Sequence, residues 1–134
     1  KLYKTAKGIV AQTSHAKTIY ESGVANNDNI KVIGNPIPLQ NVSENNKREK
    51  IVLSVGRLIS SKHHDELIKL FVALNKPAWK LVIVGGDALN QNNSEKLNAL
   101  IQSLDATERV LLAGNQKDMA SYYKKSKLFA FTSS

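Results

Sequence analysis

Along the second half of the 134-residue chain, short runs of valine, isoleucine and leucine alternate with segments whose apolar residues recur at helical spacing. The runs predict strands at Ile51 to Val55, Leu81 to Val84, Val110 to Ala113 and Leu128 to Thr132. Between the first two, a helix is expected over 63–75, where Leu67, Ile68, Phe71, Val72 and Leu74 share one face and Pro77 stops the pattern. A second helix is expected over 94–104, with Leu97, Leu100, Ile101 and Leu104 in register and Ser94 as its cap. A third, over 117–126, follows Asn115, and Asp118 three positions on completes a cap-like start.

Strands this continuously apolar, separated by helices, predict an α/β domain with a parallel, doubly wound sheet covered on both faces. Such sheets bind ligands beyond the carboxyl ends of their strands, so the loops after Val55, Val84 and Ala113 become the places to look. The first third of the chain reads differently. It offers a strand over 8–13, a helix over 15–22 with Gly23 as left-handed terminator, a turn at Asn26, Asn27, Asp28 and Asn29, and a strand over 30–33. Asn35, Pro36 and Pro38 then stiffen a connector, and the stretch 40–50 is polar except for Val42. A boundary near 33–37 is expected, dividing the chain into 1–35 and 36–134.

Composition narrows the function classes. No run approaches the roughly 18 apolar residues of a membrane helix. Without cysteine there is no disulfide, thiolate metal site or cysteine nucleophile, which fits a reducing compartment, and the cytoplasm is the expected location. The sequence opens on Lys1 rather than Met and without an apolar leader, so it is expected to be a piece of a longer protein. The net charge of +8 suits an anionic partner, but three of the nineteen basic residues are arginine and the rest are lysines scattered from Lys1 to Lys127. That dispersal reads as a solvated surface, and nucleic acid is not expected as a partner.

The most informative segment runs from Val55 through Gly56, Arg57, Leu58, Ile59, Ser60 and Ser61 to Lys62, out of the first strand and into the first helix. Gly56 removes a side chain where the backbone turns at the sheet edge. Lys62, expected in the first helical turn, sits where free amides already carry partial positive charge, so something must compensate. An anion is one answer: Arg57, Lys62 and the amides could hold a diphosphate, the arginine as a fork and the lysine as a point charge. Local pairing with Asp65 or Glu66, three and four residues on, is the other. Spacing alone leaves both open.

Other features read more plainly. His63 and His64 are adjacent, which points them in different directions and argues against a metal site; no metal ligands are assigned. Gly85 and Gly86 could form a phosphate turn or simply turn the chain. No strand is followed by Gly-x-Gly-x-x-Gly and no phosphate loop ending in Gly-Lys-Ser/Thr occurs, which argues against dinucleotide and P-loop domains. Tyr122 and Tyr123 read as one core ring and one surface ring.

Taken in order, these motifs resemble the central part of glycosyltransferase family 4, the group 1 enzymes of GT-B fold, in which two Rossmann-like domains face each other across a cleft. The family pattern of Gly-Arg, a Lys five residues after the Arg, and an Asp-x-Leu-Ile-like helix is matched by Gly56, Arg57, Lys62, Asp65, Leu67 and Ile68. The second strand and its glycine turn resemble Trp79 to Asp87, and the third resembles Val110 to Gly114. Tyr122, Tyr123, Lys125, Ser126, Phe129 and Ser133 resemble the next helix and strand, and Val32 to Ile37 the interdomain connector, with Pro36 and Pro38 departing from common family residues.

The resemblance implies that Arg57 and Lys62 grip the donor's diphosphate and stabilise it as it leaves. It further makes Gly56, Gly85, Gly86, Gly114, Asn115 and Gln116 donor-binding candidates, the last two on the nucleobase side. In the family two Glu residues eight apart follow, one on the donor ribose and one facing sugar and phosphate; the sequence ends at Ser134 before that point. The chain is thus expected to hold an acceptor-side remnant and connector in 1–35 and the first part of a C-terminal donor-binding domain in 36–134, without activity by itself. The implied reaction is retaining transfer of a sugar from a UDP- or GDP-sugar to a hydroxyl of a carbohydrate or lipid-linked acceptor. No cofactor is implied, and the setting would be bacterial polysaccharide or glycolipid synthesis, with peripheral docking at the inner face of the membrane. The alternative is a non-catalytic Rossmann-like module that binds another phosphate ligand.

Overall fold

A computed structural model describes residues 5–24, 29–37 and 47–133. The expected turn residues Asn26, Asn27 and Asp28, together with Pro38 and most of the polar stretch, lie outside them. The chain forms two compact units, Lys1–Gln40 and Asn41–Ser134.

In the first unit, β1 (Ile9–Ala11) and β2 (Ile30–Val32) pair in parallel, with Ile9 opposite Ile30 and Ala11 opposite Val32. Between them, α1 (Ser14–Ile19) is capped by Thr13, whose hydroxyl accepts from the Ala16 amide at 3.0 Å. That cap explains why the strand ends earlier than its sequence suggests: Gln12 and Thr13 already turn toward the helix. Ile9, Ala11 and Ile30 are buried against Ala16 and Tyr20. Gly23 takes a positive φ of 144°, inside a π-type turn (Tyr20–Val24) that prolongs α1.

The second unit is built on a four-stranded sheet of β3 (Glu49–Val55), β4 (Lys80–Val84), β5 (Val110–Gly114) and β6 (Ser126–Phe129), all parallel, in the order β5-β4-β3-β6. Helices α2 (His64–Ala73), α3 (Asn93–Ser103) and α4 (Met119–Lys125) make the crossovers. Alternation along β4 assigns the faces. Leu81 and Ile83 pack with Leu67, Ile68 and Phe71 of α2 and Leu97 and Ile101 of α3, while Val82 and Val84 pack with Leu53, Met119 and Tyr122 on the α4 side. Both faces are therefore covered, as a doubly wound sheet requires.

Four local expectations shift. β6 begins two residues early, at Ser126 directly after α4, and its ladder ends with the Ala130 amide on the Leu53 carbonyl at 2.8 Å. Thr132, expected in the strand, has left the ladder and donates its hydroxyl to the Lys62 carbonyl at 2.6 Å. α4 is capped by Asp118 itself, which accepts from the Ser121 amide at 3.2 Å, whereas Asn115 lies against Gly86. Ser94 stands inside the first turn of α3, where its amide donates to Asp87 at 2.9 Å, so the cap comes from the strand-end loop. Asn75 in a left-handed conformation ends α2 before Pro77 is reached, and Asp105 does the same for α3.

The fold also gathers charge that the sequence disperses. Because all four strands run the same way, their starts share one edge, and there Arg48, Lys50, Lys76, Lys80, Lys125 and Lys127 are all exposed. Among the described residues, no helix is long and apolar enough to cross a membrane.

Candidate functional site

The connections set the place where the sheet can bind something. From β3 the chain winds outward through β4 to β5, then crosses back by α4 to lay β6 on the other side of β3. The winding direction reverses between β3 and β6, and in doubly wound sheets the ligand crevice lies outside the carboxyl ends of the strands at such a reversal.

The strand-end loops are stitched together at this edge. The amides of Gly56, Leu58 and Gly85 donate to the carbonyls of Val84, Gly86 and Gly114, each at 2.9 Å. Gly85 has φ 149°, and a Cβ there would run into the Gly56 carbonyl; a Cβ on Gly86 would lie 2.6 Å from the Asn115 amide. Gly85 thus has a packing reason of its own, while the neighbour of Gly86 is an exposed side chain that can move aside. Gly114 takes φ 65° with open space around its Cα. Asn115 and Gln116 follow it on the exposed surface, but the Gln116 side chain turns back on the Ala113 carbonyl at 2.6 Å.

Lys62 is not in the first turn of α2, as expected, but ends a separate 3-10 turn (Ser60–Lys62). His63 follows with φ 48° and ψ 38°, a left-handed conformation that redirects the chain into α2. The first turn of α2 then holds Asp65 and Glu66, the charge its free amides favour. The break removes the clash between a cation and the helix dipole.

Local neutralisation of Lys62 does not form. Asp65 pairs with Lys69 at 3.6 Å and Glu66 faces His63 at 3.9 Å. The Lys62 stem instead runs over Gly56, whose added Cβ would meet its Cγ, Cδ and Cε at 3.5–3.6 Å. Its ammonium donates to Ser133 Oγ at 2.9 Å and stands 5.1 Å from the centre of the Phe131 ring. Lys62 therefore spans the crevice from β3 to β6. Arg57 leaves β3 on the same loop, exposed, and among the described residues its side chain has no hydrogen bond or ion pair.

His64 lies behind this loop and is only 4% exposed. Burial pushes its pKa below the ordinary 6.5, the Lys62 charge adding to the shift and the Arg57 and Gly56 backbone and Asp65 opposing it. Neither ring nitrogen has a hydrogen-bond partner of ordinary geometry. With Leu58, Ile59, Asn93, Leu97 and Leu100 it lines a cavity of about 270 Å³ between the loop and α3, whose walls include neither Arg57 nor Lys62. It is thus a buried residue at the first position of α2. Among the described residues, no cluster of three metal-ligating side chains occurs.

The residues that sequence reasoning did not select as a site are Phe131, Thr132 and Ser133. Their signal lies in topology: a strand laid on the far side of β3 must end beside the loop that leaves β3.

Comparison with known proteins adds the family context. The family model described as glycosyl transferases group 1 matches residues 38–134. A Campylobacter jejuni N-acetylgalactosamine-N,N'-diacetylbacillosaminyl-diphospho-undecaprenol 4-alpha-N-acetylgalactosaminyltransferase is 36% identical over 108 residues, which is 77% of this chain and 28% of that protein. A Haemophilus influenzae protein described as an uncharacterized glycosyltransferase is 34% identical over 132 residues, 96% of this chain and 36% of its own length. Among solved structures, Anabaena HepE in complex with UDP-glucose superposes with a TM-score of 0.78 at 20% identity, covering 98% of this chain and 39% of that one. S. aureus TarM, solved with UDP, fondaparinux and alpha-GlcNAc-glycerol, gives 0.76 at 23% identity over 95% of this chain and 25% of its own. The chain thus spans little more than a third of these relatives at most.

Proposed function

This chain belongs to the group 1 glycosyltransferases, and from that membership we propose that its Gly56–Lys62 loop binds the diphosphate of a nucleotide-sugar donor in a retaining transfer to an acceptor hydroxyl. The observation that carries the reading is the placement of Lys62. Its ammonium is held at the crevice between β3 and β6, the nearby carboxylates are engaged with Lys69 and His63, and Arg57 stands free on the same loop.

The chemistry asks for this arrangement. When the bond from the anomeric carbon to the diphosphate breaks, negative charge grows on the leaving oxygens, and fixed cations at the edge of a sheet stabilise it without reorganising. Arg57 offers a planar fork for two oxygens and Lys62 a compact charge. The lysine stem passes over Gly56 on its way to the edge, and Gly114, Asn115 and Gln116, at the end of β5 two strands from β3, are assigned in this reading to the base side. In this reading the two cations supply the charge and no cofactor beyond the donor is called on. A uridine diphosphate sugar is the first donor to test, since the HepE and TarM structures hold UDP or UDP-glucose.

The acceptor and location follow by the same reasoning. The Campylobacter relative is named for a diphospho-undecaprenol acceptor, so we extend to this chain a lipid-linked acceptor and work at the cytoplasmic face of a membrane. The exposed cations along the amino edge of the sheet support such docking.

Isothermal titration of the chain with UDP tests the core of the reading. Arg57→Ala and Lys62→Ala are each expected to weaken binding about tenfold or more, the scale of a lost charge-assisted hydrogen bond. Unchanged affinity in both variants overturns it.

A further inference from the structure

Lys62 is one of the most flexible side chain types, yet it is held at three points along its length. Its backbone carbonyl accepts the Thr132 hydroxyl at 2.6 Å, its stem lies over Gly56, and its ammonium donates to Ser133 Oγ at 2.9 Å beside the Phe131 ring. Both hydrogen bonds are partly buried, and they join residues 70 and 71 positions apart in the chain. We propose that Thr132 and Ser133 are positioning residues for Lys62, fixing its backbone and its ammonium so that the cation meets the donor diphosphate in a preset place. The proposal rests on the reading of Lys62 as a diphosphate ligand.

The physical case begins with the lysine. An ammonium has three donors and no preferred direction, so a lysine orders itself only when something else holds it. One donor spent on Ser133 leaves two for phosphate oxygens. Ordering the side chain before the ligand arrives removes that entropy from the cost of binding and keeps the charge where it develops in the reaction. The Phe131 ring contributes an attractive face to the cation and no competing hydrogen bond. Thr132 does the remaining part. By binding the carbonyl of Lys62, which precedes left-handed His63, it ties the 3-10 turn to the end of β6. The two walls of the crevice are then held together by the residue that serves it.

The test compares UDP with UMP, titrated into the chain and its variants. Ser133→Ala is expected to weaken UDP about fivefold, the size of one net hydrogen bond, with UMP affinity and thermal midpoint nearly unchanged. Ser133→Thr, which keeps the hydroxyl, should restore UDP binding. In the Lys62→Ala background, Ser133→Ala should have no further effect, because its influence runs through the lysine. Thr132→Val removes the second tie and should lower the UDP-over-UMP preference in the same way.

The outcomes separate cleanly. If Lys62→Ala weakens UDP binding while Ser133→Ala does not, the positioning role fails and the diphosphate reading stands. If Ser133→Ala weakens UDP equally with Lys62 absent, the serine touches the ligand itself, and positioning is again wrong. If Lys62→Ala leaves UDP affinity unchanged, Lys62 is not a diphosphate ligand and this proposal falls with that role, and the reading of the loop then stands or falls with Arg57→Ala.

Discussion

His63 and His64 stand side by side in sequence and do unrelated things. His63 takes a left-handed backbone that a side chain rarely adopts, and the helix starts only after it. His64 turns inward, where it lines a cavity with Leu58, Leu97 and Leu100, neither ring nitrogen having a hydrogen bond of ordinary geometry. Sequence reading could set aside metal binding from their adjacency, but it could not see the break. It put Lys62 in the helix because a left-handed histidine leaves no signature in the pattern of apolar positions. The buried ring carries a pH prediction. Its folded pKa lies below 6.5, so as pH falls through 6.5 the unfolded chain takes up a proton before the folded one does. Stability is therefore full above that pH and falls below it until the folded pKa is reached, at no more than about 1.4 kcal/mol per pH unit. Urea midpoints between pH 7.5 and 5 should show this slope, and His64→Leu should flatten it without loss of stability at neutral pH. An unchanged slope in the variant would place the titrating group elsewhere.

At the scale of elements, what was legible was what burial on both faces writes into a sequence. β4 shows as an unbroken apolar run because it lies between β3 and β5 and under helices on both faces, and β3 and β5 show nearly the same signal, β3 broken by Ser54 and β5 at the sheet edge. β6 was harder. Leu128 and Phe129 are about half exposed although they pair with Val52 and Leu53, so the residues that look most strand-like are not the most buried, and Ser126, buried at 5%, gives no apolar signal. Caps failed for a related reason: Asp87 reaches forward from a strand end to serve α3 at Ser94, and no local window contains that contact. Its carboxyl is held below the usual range chiefly by the Ser94 hydroxyl. The glycines divide in a way that can be measured. Gly85→Ala should destabilise the chain by roughly 3 kcal/mol, since its methyl meets the Gly56 carbonyl at a φ that favours glycine. Gly56→Ala should stay within about 1 kcal/mol, because its methyl only touches the lysine stem at ordinary distance. Equal thermal melts for the two variants would contradict the stitched loop geometry.

At the scale of the whole sheet, one parallel topology produces two basic edges of different kinds. The carboxyl edge has an exposed Arg57 and a Lys62 held by Ser133 over Gly56, a small number of charges on one loop. The amino edge has a broad row, from Lys76 and Lys80 through Arg48 and Lys50 to Lys125 and Lys127, all exposed. Along the chain these lysines look dispersed, and only the common direction of the strands lines them up, so composition could give the net charge of +8 but not its arrangement. An exposed, lysine-rich row suits a diffuse anionic surface better than a groove that reads bases. Each lysine near an anionic bilayer contributes about 1 kcal/mol, and the attraction fades over a Debye length of about 8 Å at physiological salt. The chain should therefore sediment with vesicles containing phosphatidylglycerol at low salt, release as salt is raised, and ignore vesicles of phosphatidylcholine alone. The double variant Lys80→Glu/Lys125→Glu should lose most of that binding while its UDP affinity stays as it was, because Lys80 opens β4 and Lys125 closes α4, both at the edge of the sheet opposite the Gly56–Lys62 loop. Binding to duplex DNA as strong as to the anionic vesicles would instead assign the row to general polyanion attraction.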